Sequence, residues 1–84
     1  MVGLKTWFVY ILKCSDNSLY TGITTNLERR LKEHNLGKGA KYTRTRIPCI
    51  LVYKKEYPNR SESSKEEIRI KKLSRKDKLE LIKC

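Results

Sequence analysis

Two side chains on one predicted helix, Arg30 and His34, are candidate functional residues. At about 100° per residue, Arg30 and His34 fall within about 60° of Leu27, on the packing face of a helix predicted over residues 26–36. A guanidinium held on that face must either pair with a carboxylate or face a cleft where it can bind a phosphate. A histidine there could exchange protons near neutral pH or be a hydrogen-bonded core residue.

A later helix, predicted from residue 61 to about residue 73, places a carboxylate in a similar position. Glu66 or Glu67 falls on or beside its apolar stripe. Both glutamates also end a Ser-x-x-Glu pattern, beginning at Ser63 and Ser64, so both are capping-box candidates. A carboxylate beside an arginine predicts a site for a hard metal ion and a phosphate.

Two strands near the start of the chain must position these groups. Residues 7–13 and 19–23 are rich in aromatic and β-branched side chains and are separated by a short polar turn, which predicts a β-hairpin. The hairpin would bring Tyr10 and Tyr20 to the site. Gly22 is expected either at a bulge or where another backbone approaches closely.

The remaining segments complete an α+β pattern. Thr25 or Asn26 can cap the first helix, and Ser74 can cap a last helix. Further predicted elements are a helical turn within 40–46, a third strand at about 49–57 and the last helix at 75–83. The fold class expected is a small three-stranded antiparallel sheet flanked by helices, in the order β-β-α-(short α)-β-α-α. It should form one domain over residues 1–84.

The charge balance indicates a polyanionic partner. Twenty Lys and Arg against nine Asp and Glu give a net charge of +11. A strongly basic small domain is typical of nucleic-acid binding, and we favour nucleic acid over an anionic membrane surface. The longest apolar run, Trp7 to Leu12, is far shorter than the roughly 20 residues of a membrane helix. We expect a cytoplasmic protein with no membrane partner; its oligomeric state is not indicated.

The cysteines do not predict a structural framework. Cys14, Cys49 and Cys84 are odd in number, widely spaced and without a Cys-x-x-Cys pair. We expect reduced thiols that are buried or idle rather than disulfides or a zinc site.

The ordered series of motifs resembles the GIY-YIG nuclease domain over about residues 7–82. The residues that carry the resemblance are Val9-Tyr10, Tyr20-Thr21-Gly22, Asn26-Leu27, Arg30, His34 and the late glutamate. The chain is most similar to the small stand-alone bacterial members, with which it shares the segment Lys41 to Thr43, Pro48 and the KKLSR sequence near Leu73.

The resemblance implies a mechanism. Glu67, chosen over Glu66 by its spacing to the KKL sequence, would hold one Mg²⁺ or Mn²⁺ ion. Arg30 would bind the scissile phosphate. Tyr10 would activate a water, with its phenolate stabilised by Arg30 and the metal-bound phosphate. Tyr20 and His34 would orient this network, while Gly22 and Asn26 belong to the structural motif.

A basic segment that contains one aromatic residue is expected to bind phosphates or stack a base: Lys41, Tyr42, Arg44 and Arg46. The function expected is a metal-dependent endonuclease on DNA, directed by structure or damage and used in DNA repair or processing, with no small-molecule cofactor. Phe8 and Thr21 depart from the family motifs and allow an alternative, a non-catalytic nucleic-acid-binding module with the same fold. An RNA-directed protein is the third possibility.

Overall fold

The most apolar segment of the chain forms the middle strand of the sheet. A computed structural model describes residues 5–83, and in it β1 (Trp7–Lys13) pairs antiparallel with β2 (Leu19–Thr24) on one side and β3 (Ile50–Tyr57) on the other. Residues 9–12 of β1 are at most 2% exposed. A strand that is apolar on both faces is stable only when both faces are covered, which explains its central place.

Within residues 5–83, four helices complete the fold, and their order confirms the predicted α+β class. They are α1 (Leu27–Asn35), α2 (Lys41–Arg44), α3 (Arg60–Lys71) and α4 (Arg75–Lys83). Among residues 5–83, no helix has the length and apolar character needed to cross a membrane.

The helices cover both faces of the sheet. Because alternate residues of a strand point to opposite faces, Tyr10 and Leu12 pack with Leu31 of α1 on one face. Val9 and Ile11 pack with α3 and α4 on the other face, where the contacting side chains are Ile70, Leu81 and Ile82. The sheet therefore separates two helical layers.

A polar turn joins β1 to β2, as predicted. Asn17 has a φ of 68°, a left-handed conformation that asparagine tolerates better than most residues. The backbone amide of Ser18 donates to Oδ1 of Asp16 at 3.0 Å. The turn is therefore closed by the Asp16 side chain and by the left-handed backbone of Asn17.

Gly22 makes room for a side chain, so neither reason expected for it is correct. The pairing of β1 with β2 is continuous through Tyr10 and Gly22, with no bulge. A Cβ added at Gly22 would lie 2.5 Å from Oη of Tyr10 and 2.7 Å from its Cζ. The glycine is needed because the phenol ring crosses directly over this position of β2.

The helix caps correct one sequence expectation. Of the two candidates for α1, Asn26 is the cap: its side chain accepts from the backbone amide of Arg29 at 3.0 Å. Ser63 and Ser64 are not caps, because α3 starts at Arg60 and is capped by Asn59. Ser63 lies inside the helix and bonds a carbonyl of its own first turn.

Ser74 caps α4 as predicted, since its Oγ accepts from the backbone amide of Asp77 at 3.1 Å. Cys14 and Cys49 are free thiols, as expected, and are buried with their sulfur atoms 3.6 Å apart. Cys84 lies outside the described residues.

Replacing Gly22 by Ala should lower the free energy of unfolding by about 1–3 kcal/mol, because the added methyl group collides with the Tyr10 ring. The loss should shrink in a Tyr10→Leu background, which lacks the colliding atoms. Gly37→Ala is the control: Gly37 has a φ of +76° and no atom within 4 Å of its added Cβ, so its effect should be the same in both backgrounds. Urea unfolding of the single and double variants measures this, and an equal Gly22→Ala loss in both backgrounds contradicts the collision.

Candidate active site

A buried hydrogen bond joins the hairpin to α1 at the centre of the site. Oη of Tyr10 lies 2.9 Å from Nε2 of His34. Tyr10 is 2% exposed and His34 is 0% exposed. Buried polar groups are stable only when paired, so each of these side chains needs the other.

The partner of the second ring nitrogen assigns the histidine tautomer. Nδ1 of His34 lies 2.7 Å from Oγ1 of Thr43, and that hydroxyl donates its only proton to the carbonyl of Ala40 at 3.0 Å. Nδ1 must therefore carry the proton and donate to Thr43. Nε2 is then an acceptor, and it receives the proton of the Tyr10 hydroxyl.

The surroundings of His34 keep it neutral. Burial lowers its pKa from the usual 6.5, and the positive charge of Arg30 lowers it further, while Glu33 acts weakly in the opposite direction. A neutral imidazole with a free Nε2 lone pair can accept a proton.

The sequence left two alternatives for Arg30, a pair with a carboxylate or a position facing a cleft, and the structure shows both. Its Nη1 donates to Oε1 of Glu33 at 3.0 Å, and its side chain remains 30% exposed. The same guanidinium also interacts with the Tyr10 hydroxyl, and this interaction favours the charged form of each group. Arg30 is thus paired with a carboxylate and still lines an open cleft.

The two adjacent glutamates of α3 have different surroundings. Glu66 binds Arg69 through two contacts of 2.6 Å and also hydrogen-bonds Tyr57, and its pKa is lowered chiefly by Arg69. The negative charge of Glu67 acts instead on Tyr10, whose pKa it helps to raise. The negative charge that helps to raise the pKa of Tyr10 is therefore that of Glu67, while Glu66 is held by Arg69 and Tyr57.

The free protein does not hold Tyr10 as a phenolate. Burial raises the pKa of Tyr10 to about 12, and the charges of Tyr20 and Glu67 add to this effect. Hydrogen bonding from Arg30 lowers the pKa but does not overcome burial. The expected stabilisation by Arg30 is therefore insufficient by itself, and at neutral pH Tyr10 is a phenol that donates to His34.

A row of rings leads from the buried pair to the surface. The Tyr20 ring lies 6.4 Å from that of Tyr10 and 5.3 Å from that of His34. Tyr42 stacks on Tyr20 at 6.0 Å, and the guanidinium carbon of Arg46 lies 4.0 Å from the centroid of Tyr42. The two tyrosines and the histidine expected at the site are therefore in mutual contact.

The basic segment has two kinds of residue. Arg46 is held inside the protein's own contacts: Nε donates to Oδ2 of Asp16 at 3.1 Å and Nη1 to the carbonyl of Tyr42 at 2.7 Å. It fastens α2 to the hairpin turn. Lys41 and Arg44 are exposed on α2, so a role in phosphate binding suits them better than Arg46.

Two residues of the site were missed by sequence reasoning. Thr43 is 0% exposed and fixes the His34 tautomer. Gly39 leaves space for the imidazole, because an added Cβ would collide with Nδ1 of His34. The KYT segment had marked Thr43 as part of a motif, but no local pattern indicates that either residue touches a ring of α1.

The carboxylate set fits a metal ion that keeps most of its waters. Among residues 5–83 there is no cluster of three or more His, Cys, Asp or Glu side chains that could enclose an ion. Glu67 is 20% exposed and its Oε2 already binds a cation, Nζ of Lys71, at 3.1 Å. Mg²⁺ is commonly held by one or two carboxylates together with waters and substrate phosphates, so Glu67 meets that requirement.

The single histidine offers a direct test of this geometry. By NMR, the pKa of His34 should lie below 6.5 in the folded protein and return to about 6.5 in urea. Since the unfolded chain then binds the proton more readily, the free energy of unfolding should fall as the pH drops below about 6.5. His34→Gln should lack this pH dependence between pH 7 and 5. A folded-state pKa at or above 6.5 contradicts the neutral, buried imidazole.

Known proteins are similar to this chain in sequence. Residues 6–80 match the GIY-YIG catalytic domain. A UPF0213 protein of Staphylococcus haemolyticus is 56% identical over 75 residues, 89% of this chain and 92% of that protein. A UPF0213 protein of Oceanobacillus iheyensis is 59% identical over 75 residues, 89% of this chain and 87% of that protein.

Two solution NMR structures are similar to this chain. The UPF0213 protein from Bacillus halodurans has a TM-score of 0.61 at 47% identity, with 93% of this chain and 83% of that chain covered. A protein from E. faecalis has a TM-score of 0.65 at 46% identity, with 99% and 88% covered. The chain therefore belongs to the GIY-YIG catalytic-domain family and is one of its small UPF0213 members.

Proposed function

We propose that this protein is a metal-dependent phosphodiesterase that cuts DNA at structural or damaged sites. The observation that carries the proposal is convergence: Arg30 and Glu67, from α1 and α3, both act on the Tyr10 phenol. That phenol is hydrogen-bonded to a neutral histidine. A cation for phosphate, a carboxylate for a metal ion and a proton acceptor are the groups that phosphodiester hydrolysis needs.

The hydrogen bond supplies a route for the proton of the attacking water. A phenol with a pKa near 12 is rarely ionised at pH 7. As the water attacks phosphorus, its proton passes to Oη of Tyr10 while the Tyr10 proton passes to Nε2 of His34. The P–O bond to the leaving oxygen breaks, and that oxygen takes a proton from solvent. Tyr10 thus relays a proton to the histidine without ever being a free phenolate.

Arg30 stabilises the charge that grows on the scissile phosphate. Its guanidinium donates to a non-bridging oxygen, which an exposed fraction of 30% permits. A phosphate at Arg30 also compensates the positive charge that lowers the pKa of His34. Substrate binding thereby makes the imidazole a better proton acceptor.

Glu67 holds the metal ion, one Mg²⁺ or Mn²⁺, in exchange for its contact with Lys71. When bound, the ion supplies charge stabilisation for the leaving oxygen. Exposed Lys41 and Arg44 on α2 bind neighbouring phosphates, in keeping with the net charge of +11.

Removal of either charged group should abolish most cleavage. With a flap-DNA substrate and Mg²⁺, Arg30→Ala should lower kcat by about 10²- to 10³-fold, and Arg30→Lys by less, since lysine lacks the planar fork. Glu67→Gln should have a similar effect, whereas its matched control Glu66→Gln should keep wild-type activity, because Glu66 is turned toward Tyr57 and Arg69.

Equal residual activity in wild type, Arg30→Ala and Glu67→Gln would show that a contaminant or another site cuts the DNA. Salt-sensitive binding that Glu67→Gln leaves unchanged, with no cleavage under any metal, would select the binding-module alternative. Preference for RNA in a competition assay would select the RNA-directed one.

The proton route predicts the pH dependence of the rate. The wild-type rate should fall on the acid side as His34 becomes protonated, because an imidazolium cannot accept the Tyr10 proton. His34→Gln should be slower and should lose this acid limb between pH 7 and 5, while Tyr10→Phe should be nearly inactive at every pH. An unchanged acid limb in His34→Gln contradicts the route.

A further inference from the structure

The open cleft that Arg30 lines lies at the end of the sheet. β2 ends at Thr24, opposite Phe8, so the preceding residue of β1, Trp7, pairs only with Tyr57 of β3. The chain turns away into α1 at this point. The space left is a cleft of about 310 Å³ whose lining includes Trp7, Thr25, Arg29, Arg30, Glu33 and Arg60.

The charge of this cleft is positive. Three arginines face one carboxylate, Glu33, which lies 3.0 Å from Arg30 and 3.9 Å from Arg29. No carboxylate oxygen among residues 5–83 lies within 4.0 Å of Arg60. Arg60 therefore adds a positive charge that the cleft itself does not neutralise, and an anion would be attracted to it.

The same cleft contains an aromatic face. The guanidinium carbon of Arg60 lies 5.8 Å from the centroid of the Trp7 ring, within range of a cation–π contact. An aromatic ring beside an exposed arginine can stack a base while the arginine binds its phosphate. Tyr42, the aromatic residue expected to stack a base in the basic segment, is 40% exposed and does not line this cleft.

We propose that this cleft is a subsite for one unpaired nucleotide next to the scissile phosphate. The base stacks on Trp7, Arg60 and Arg29 bind its phosphate, and Arg30 joins the subsite to the cleavage site. This inference rests on the proposed function and narrows its substrate: a base inside a duplex is already stacked on both faces and is not available to Trp7. Flaps, overhangs and gaps should therefore be bound in preference to continuous duplex.

Trp7 is the only tryptophan of the chain, so its fluorescence reports on this cleft alone. The Glu67→Gln variant, which should cut only slowly, is titrated with an eight-nucleotide single strand and with a covalently closed circular duplex that has no ends or loops. The single strand should quench the fluorescence with the same Kd that anisotropy of a labelled oligonucleotide gives. Unchanged fluorescence at saturation, or equal quenching by the closed duplex, overturns the subsite. The same titration with an RNA strand shows which of the two nucleic acids the subsite binds more tightly.

Variants separate stacking from charge. Trp7→Leu should weaken single-strand binding about 5- to 100-fold without changing the salt slope. Trp7→Phe should restore part of the affinity. Arg60→Gln should lower the slope by about one, whereas Arg75→Gln, a matched charge removal on α4, should have little effect. Equal losses of affinity and salt slope in Arg60→Gln and Arg75→Gln would indicate that only the overall positive charge matters. That result would overturn the subsite. Circular dichroism confirms that each variant is folded.

The two proposals fail separately. Normal cleavage without quenching of the Trp7 fluorescence contradicts the subsite but supports the nuclease function. Quenching of the Trp7 fluorescence by single strands, with no cleavage under any metal, supports the subsite and contradicts the nuclease function.

Discussion

The hydrogen bond between the Tyr10 hydroxyl and Nε2 of His34 is the constraint on which the rest of the site depends. Two polar groups that are almost fully buried must be paired, or each would lose the hydrogen bonds it makes with water. Their pairing sets the position of α1 over the sheet. It also requires a third polar group, Thr43, at the far side of the imidazole, and so determines where α2 must lie.

Small residues make this arrangement possible. Gly22 and Gly39 each leave the space that a ring occupies, one over β2 and the other beside the end of α1. Because interiors are close-packed, a single methyl group at either position would displace the ring it touches. The geometry of the candidate site is thus built from the rings of Tyr10 and His34 and from the absence of a side chain at Gly22 and Gly39.

The groups at the centre of the site are uncharged, and the groups around them are mostly positively charged. Burial keeps Tyr10 a phenol and His34 uncharged, although Arg30 lies beside both. Charged groups lie where solvent or a substrate can reach them, since a charge is far less costly there than in the interior. The centre is therefore suited to moving a proton, and the surround, with its excess of arginine and lysine, to holding phosphates.

The sequence by itself determined the elements and their faces. Strand and helix periods, caps and turn residues are local signals, so they predicted the α+β order, the inward placement of Arg30 and His34, and the Ser74 cap. A local signal also misled, because Ser63 and Ser64 have a capping pattern while Asn59 begins the helix one turn earlier.

Only the tertiary structure decided what these residues meet. It paired Glu66 with Arg69 and Tyr57, left the charge of Glu67 to act on the pKa of Tyr10, engaged Arg46 in internal contacts, and opened the cleft at Trp7. These contacts join segments that are far apart along the chain, so no short sequence pattern predicts them. A pKa is likewise a property of packing, since the burial that raises that of Tyr10 comes from helices folded over it.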